Sequence, residues 1–140
     1  MNENLIITGG IYNIILIIFH ISFWRIFNWP ETINTLNRTN KSTIQVLNIS
    51  ITFIFVIFAY ISLVHTKELL NTNLGNTLLI FMSALWLFRA IQQIIFYKLK
   101  HKASLGLFLF FIGGSVIYCI FWTFRSSIPV LFDHLTKLTR

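Results

Sequence analysis

Residues 43–66 read TIQVLNISITFIFVIFAYISLVHT, and this stretch decides the fold. It holds no Asp, Glu, Lys or Arg. It also exceeds the roughly 20 apolar residues that a helix needs to cross the hydrocarbon of a bilayer. Its polar residues are ordered. Gln45, Asn48, Thr52, Ala59, Ser62 and Thr66 recur in steps of three and four, and Phe55 fills the one gap. On a helix they make a single small-and-polar seam. Such seams face partner helices, because small residues let backbones approach and polar ones hydrogen-bond across the contact.

Three more runs of this kind lie outward from it. The first covers about 5–29 and ends on Trp24, Trp29 and Pro30, an aromatic anchor followed by a helix breaker. The third covers 76–97 and closes at Lys98. The fourth covers 104–124 and closes at Arg125. The links are short, so consecutive helices should be antiparallel neighbours. The runs are too long, and too free of polar alternation, for barrel strands. The expected fold is therefore all-α: a four-helix transmembrane up-and-down bundle over residues 1–125. Residues 126–140 place Ile128, Leu131, Leu135 and Leu138 at helical spacing. They read as a short C-terminal amphipathic helix lying in the interface.

Composition agrees. Of the 140 residues 56% are hydrophobic and 11% charged, where a soluble domain carries about 25% charged residues. The formal net charge of +7 does not point to nucleic acid, because no basic stripe interleaves with exposed aromatics. The basic residues sit at the ends of the apolar runs. Met1-Asn2-Glu3-Asn4 has no positive charge, so the first run reads as a retained helix and not a cleaved signal. Loops one and three carry six Lys/Arg (Arg25, Arg38, Lys41, Lys98, Lys100, Lys102), against four on the other side (Lys67, Arg125, Lys137, Arg140). That balance leans toward cytoplasmic loops one and three.

Two residues stand out because lipid should exclude them. His20 lies nine residues before Trp29 on the first run, and Arg89 nine before Lys98 on the third. Both helices run the same way. At ~1.5 Å per residue, the two share a depth ~13 Å below one membrane face. Gln92 and Gln93 are a turn from Arg89, Asn48 lies on the seam, and Asn13 and Trp24 share a face with His20. Gly106, Gly113 and Gly114 thin the fourth helix near the same depth, and Tyr118 follows a turn later. The chain's acids are Glu3, Glu31, Glu68 and Asp133, none inside an apolar run. Arg89 therefore has no carboxylate at its own depth, and arginine keeps its charge. The candidate ligand-binding residues are Arg89, His20, Gln92, Gln93, Asn48 and Asn13. The alternative is that Arg89 snorkels, or bonds amide side chains to fix packing. Tyr12, Tyr60, Tyr97 and Trp122 read as interface or packing residues.

No catalytic set is visible, and no cofactor is specified. The motifs HExxH, CxxC and GxSxG and the P-loop are all missing from the sequence. The single cysteine, Cys119, rules out an internal disulfide and a two-cysteine metal motif. His20 and His65 lie more than ~10 Å apart in depth, too far to share an iron axially.

Two segments carry a resemblance. One runs from Gly9-Gly10-Ile11-Tyr12-Asn13 through Phe19-His20 and Phe23-Trp24-Arg25 to Asn28-Trp29. The other is Phe88-Arg89-Ala90-Ile91-Gln92-Gln93. Together they resemble a group of short bacterial four-helix membrane proteins with no assigned activity, over roughly the first hundred residues. The resemblance implies the same architecture in a bacterial cytoplasmic membrane, and no chemistry. A looser likeness to DoxX-like proteins rests on size and span count. The sequence thus supports three functions. One is a pocket for a small anionic or quinone-like ligand or a lipid headgroup. Another is an accessory subunit that pairs Arg89 with an acid on a partner or a second copy. The third is a transporter or redox component.

Overall fold

The computed structural model describes the backbone of residues 2–138 and the side chains of residues 3–120. Each apolar run forms a helix, and there is no strand among the described residues. The helices are α1 (Asn2–Ile21), α2 (Phe23–Ile26), α3 (Trp29–Thr32), α4 (Arg38–Val64), α5 (Thr66–Asn71), α6 (Asn73–Gln92) and α7 (Lys102–Leu138). Four segments are long and apolar enough to cross a membrane: Glu3–Ile21, Arg38–Val64, Asn73–Tyr97 and Lys102–Ile120. The helix of the fourth run continues without a break past Arg125 to Leu138. The amphipathic face expected for 126–140 lies outside the residues whose side chains are described.

Helix ends follow capping chemistry more closely than hydropathy. Helical hydrogen bonds continue across Ser22, from Ser22 N–H to Ile18 O (3.0 Å) and from Ile26 N–H to Ser22 O (2.9 Å). The Ser22 hydroxyl also donates to Ile18 O at 2.7 Å, a competing bond that bends helices. The chain then turns at Asn28, whose φ of 45° is left-handed. Asparagine tolerates that region better than most residues. Pro30 follows at the start of α3, where a missing N–H costs nothing. Helix α4 starts at Arg38, five residues ahead of the apolar run. The Asn37 side chain caps it by accepting from Asn40 N–H at 2.8 Å. Thr72 caps α6 in the same way, through Gly75 N–H at 2.9 Å.

The seam on α4 turns inward: Asn48, Phe55, Ala59 and Ser62 are its buried residues. It packs on α1 in an antiparallel sense, with Gly10 against Ser62 and Leu63, and His20 against Asn48. Helices α6 and α7 make the second antiparallel pair. There the Ser83 hydroxyl donates to Ser115 O at 2.9 Å, and Gln93 reaches Ser104.

A reciprocal clasp joins the two pairs. Tyr12 of α1 lies over Gly114 of α7 and donates to Phe110 O at 3.0 Å. Tyr118 of α7 lies over Gly9 of α1 and accepts from Asn13 Nδ2 at 2.8 Å. A Cβ at Gly114 would sit 2.6 Å from Tyr12 Oη, and one at Gly9 would sit 2.7 Å from Tyr118 Oη. Only glycine allows either approach. At mid-bundle an aromatic layer fills the core. Trp86 stacks on Phe55 of α4 (5.2 Å between ring centres) and on Phe111 of α7 (6.2 Å), and Tyr12 meets its edge (5.1 Å). The outward faces are apolar, as at Phe53, Leu74, Phe81 and Phe96. A water-soluble monomer rarely shows contiguous apolar surface on this scale.

Candidate functional site

The sequence gathers six polar residues into one candidate site. The structure distributes them over four hydrogen-bonded groups.

Asn13 is fully buried toward the other end of the core from Arg89. Its Nδ2 donates to Gly9 O and to Tyr118 Oη, both at 2.8 Å, and Tyr118 Oη lies 3.2 Å from the Ser62 hydroxyl. Three helices, α1, α4 and α7, meet in this network.

His20 and Asn48 form a second group, which clamps α1 to α4. Asn48 Nδ2 donates to the main-chain carbonyl of His20 at 3.2 Å. Its Oδ1 therefore faces the ring and accepts from His20 Nδ1 at 2.8 Å. The imidazole stacks on Phe23 (4.5 Å) and meets Phe55 edge-on (5.1 Å).

Gln93 forms the third group, with Ser104. Its Nε2 donates to the Ser104 hydroxyl at 3.0 Å, and that hydroxyl donates to Lys98 O. The contact latches the single π-helical turn Gln93–Tyr97 that ends α6. Turns of this type recur at functional sites. Lys98, at φ 54°, closes it.

Arg89 and Gln92 are the fourth. The half-buried guanidinium donates to Gln92 Oε1 at 2.9 Å and lies 5.2 Å from the centre of the Phe111 ring. Gln92 is one turn toward Lys98, so the side chain turns to that end of the helix. A cavity of about 320 Å³ opens there, lined by Arg89, Gln92, Gln93, Phe96 and Tyr97. These positions follow the helical 3-4 step and share one face.

His20 and Arg89 still belong to one layer. Phe55 touches both His20 and Trp86, and Phe111 touches both Trp86 and Arg89. Rings and not a shared polar cavity fill the space between them, and His20 does not line the Arg89 cavity.

Among the described residues the one ion pair is His65 with Glu68, at 3.8 Å. Glu3, Glu31 and Glu68 lie in α1, α3 and α5, and none reaches Arg89. A guanidinium has five N–H donors, and among the described residues one protein acceptor meets Arg89. Phe96 and Tyr97 are additions to the sequence-derived set. Their signal was the spacing, since both continue the face of Arg89, Gln92 and Gln93. Phe111 and Ser104 had no signal, because they come from another helix. No group of three or more metal-ligating side chains occurs among the described residues.

No family model matches the chain, and no curated protein or solved structure matches it. The functional argument therefore rests on the geometry of the site.

Proposed function

We propose that this chain is a multi-pass membrane protein, an up-and-down bundle of four spanning helices, and that the Arg89 cavity binds an anionic group. The observation that carries the reading is a guanidinium inside a candidate span, beside a cavity of about 320 Å³, with no carboxylate among its described neighbours. An unpaired cation at such depth costs at least ~2.5 kcal/mol on insertion scales. A bound anion offsets that cost. The volume falls at the small end of ligand pockets, about 300–1,000 Å³. Loops one and three carry the larger basic count, six Lys/Arg against four, which leans toward a cytoplasmic side for this end of the bundle.

The test is thermal unfolding in mild detergent, with and without added anions, for wild type and Arg89→Gln. A ligand at a hundred times its Kd stabilises wild type by ~2.7 kcal/mol, and the folded variant gains nothing. An equal gain in both proteins overturns the anion site. A partner chain supplying the carboxylate is the competing reading. It predicts a stable hetero-complex that Arg89→Gln dissociates, with no response to anions.

A further inference from the structure

The anion-site reading leaves open what carries the negative charge, and the geometry points to the phosphate of an anionic phospholipid that enters from the bilayer side. We propose that Arg89, Gln92 and Tyr97 bind the phosphodiester of one such lipid, with its acyl chains along the outer face of α6. This rests on the Arg89 cavity being an anion site.

The chemistry of the lining comes first. Gln93 Nε2 is spent on Ser104, and Gln92 Oε1 is spent on Arg89. What remains to face a ligand is the rest of the guanidinium, the Gln92 amide N–H₂ and the Tyr97 hydroxyl, with Gln93 Oε1 the one amide oxygen beside them that carries no hydrogen bond. The guanidinium and the amide group can only donate, and the hydroxyl can also donate. A ligand that only accepts, with several oxygens and negative charge, matches this set. A phosphodiester is such a group.

Access comes second. Phe96 is 74% exposed and Tyr97 67% exposed, so the cavity opens on the outer surface of the bundle. The surface leading to it is apolar, with Phe88, Ile91 and Ile95 exposed on the same helix. A free oxyanion in water would meet this surface as a barrier, whereas a lipid already lies against it. Beyond the cavity, Lys98, Lys100 and Lys102 are exposed on the turn, where headgroups lie. Each such charge near an anionic surface adds ~1 kcal/mol of attraction.

Size comes third. The cavity, about 320 Å³ and open on one side, has more room than one inorganic oxyanion needs. The Gln93–Ser104–Lys98 latch holds the turn that shapes it.

The experiment uses the full chain in detergent, read by native mass spectrometry. The probes are phosphatidylglycerol, phosphatidylcholine and inorganic phosphate. Wild type should retain one phosphatidylglycerol in preference to phosphatidylcholine, and millimolar phosphate should not displace it. Arg89→Gln should bind it about tenfold more weakly or worse, about 1.4 kcal/mol, and Arg89→Lys should recover part of the loss. Phosphate binding that depends on Arg89, with no preference between lipids, overturns the lipid assignment and leaves the anion site standing. Equal lipid retention by Arg89→Gln, with no phosphate binding, overturns both. If Arg89→Gln does not fold, a photo-activatable phosphatidylglycerol decides the matter on wild type. Crosslinks concentrated in 88–98 support the proposal, and crosslinks spread evenly over the four spans overturn it.

Discussion

Gly113 and Gly114 are adjacent on α7, yet a methyl group at each should have opposite consequences. A Cβ at Gly113 meets nothing within 4 Å. A Cβ at Gly114 would lie 2.6 Å from Tyr12 Oη, 2.7 Å from Cζ and 2.9 Å from Cε1. Tyr12 cannot easily yield. Its ring stacks on Phe110 (4.4 Å), meets the edge of Trp86, and its hydroxyl is fixed to Phe110 O. Replacing glycine by alanine inside a helix is worth about 0.5–1 kcal/mol through backbone entropy. That gain is common to both sites, so comparing the two variants isolates the packing term. Overpacking a tight core costs about 1–3 kcal/mol. Gly114→Ala should therefore be about 1–3 kcal/mol less stable than Gly113→Ala, and Gly113→Ala should match or exceed wild type. Reversible unfolding in bicelles, followed by far-ultraviolet circular dichroism, measures both. A third variant identifies the clashing partner. With Tyr12→Leu in place the ring is gone, and Gly114→Ala should then cost nothing, a coupling of about 1–3 kcal/mol for residues in contact. Equal stabilities for the two alanine variants, or a Gly114→Ala cost that survives in Tyr12→Leu, would refute the clasp.

Asn48→Ala should destabilise by about 1 kcal/mol. It strands the His20 ring N–H and main-chain carbonyl, a loss of about 1–3 kcal/mol in proteins generally, while intramembrane hydrogen bonds average nearer ~0.6 kcal/mol; unfolding in the same bicelles checks it, and no loss would sink the clamp. Ser104→Ala should speed amide hydrogen exchange in 93–98 with a global change within about 1 kcal/mol; uniform acceleration along the chain would show that Ser104 does not act as a local latch. Trp86 Nε1 is buried with no acceptor among the described residues. Trp86→Phe should accordingly cost no more than about 1 kcal/mol, because shedding a buried unsatisfied donor returns about 1–3 kcal/mol against the lost ring contacts; a loss of about 3 kcal/mol or more would show that the indole N–H has a partner.

Hydropathy made the four long helices legible, and 3-4 spacing made the inward seam of α4 legible residue by residue. Both are properties of one segment at a time. The start of α4 was not, because hydropathy marks where an apolar run begins and Asn37 caps the helix six residues earlier, among polar residues. The turn at Asn28 was hidden by the surrounding Trp24, Phe27 and Trp29, which read as a continuing run. The clasp was hidden for a different reason. Helical spacing says which residues share a face and is silent on which neighbour that face meets. Asn13 and His20 do share a face of α1, but Asn13 faces Tyr118 and Ser62, and His20 faces Asn48. Arg89 was legible as a charge without an acid, since that required only the positions of four carboxylates.

The polar groups of the core differ in whether the protein meets their needs. Asn48 and His20 satisfy each other across α1 and α4. Ser83 meets Ser115, and Gln93 meets Ser104, across α6 and α7. Asn13 ties α1 to Tyr118, with only its Oδ1 left over. Each of these contacts joins two helices, so each is explained by assembly of the fold. Arg89 differs from these. Its one polar partner among the described residues, Gln92, is on its own helix, so the bond contributes nothing to joining helices. Its other support, a cation–π contact with the Phe111 ring of α7, is worth about 0.5–2 kcal/mol, less than the ~2.5–3.5 kcal/mol cost of a charge at mid-membrane depth. A residue that is expensive to place, makes no described hydrogen bond to another helix, and borders a cavity is poorly accounted for by folding alone. The proposed binding at that cavity would give it a role.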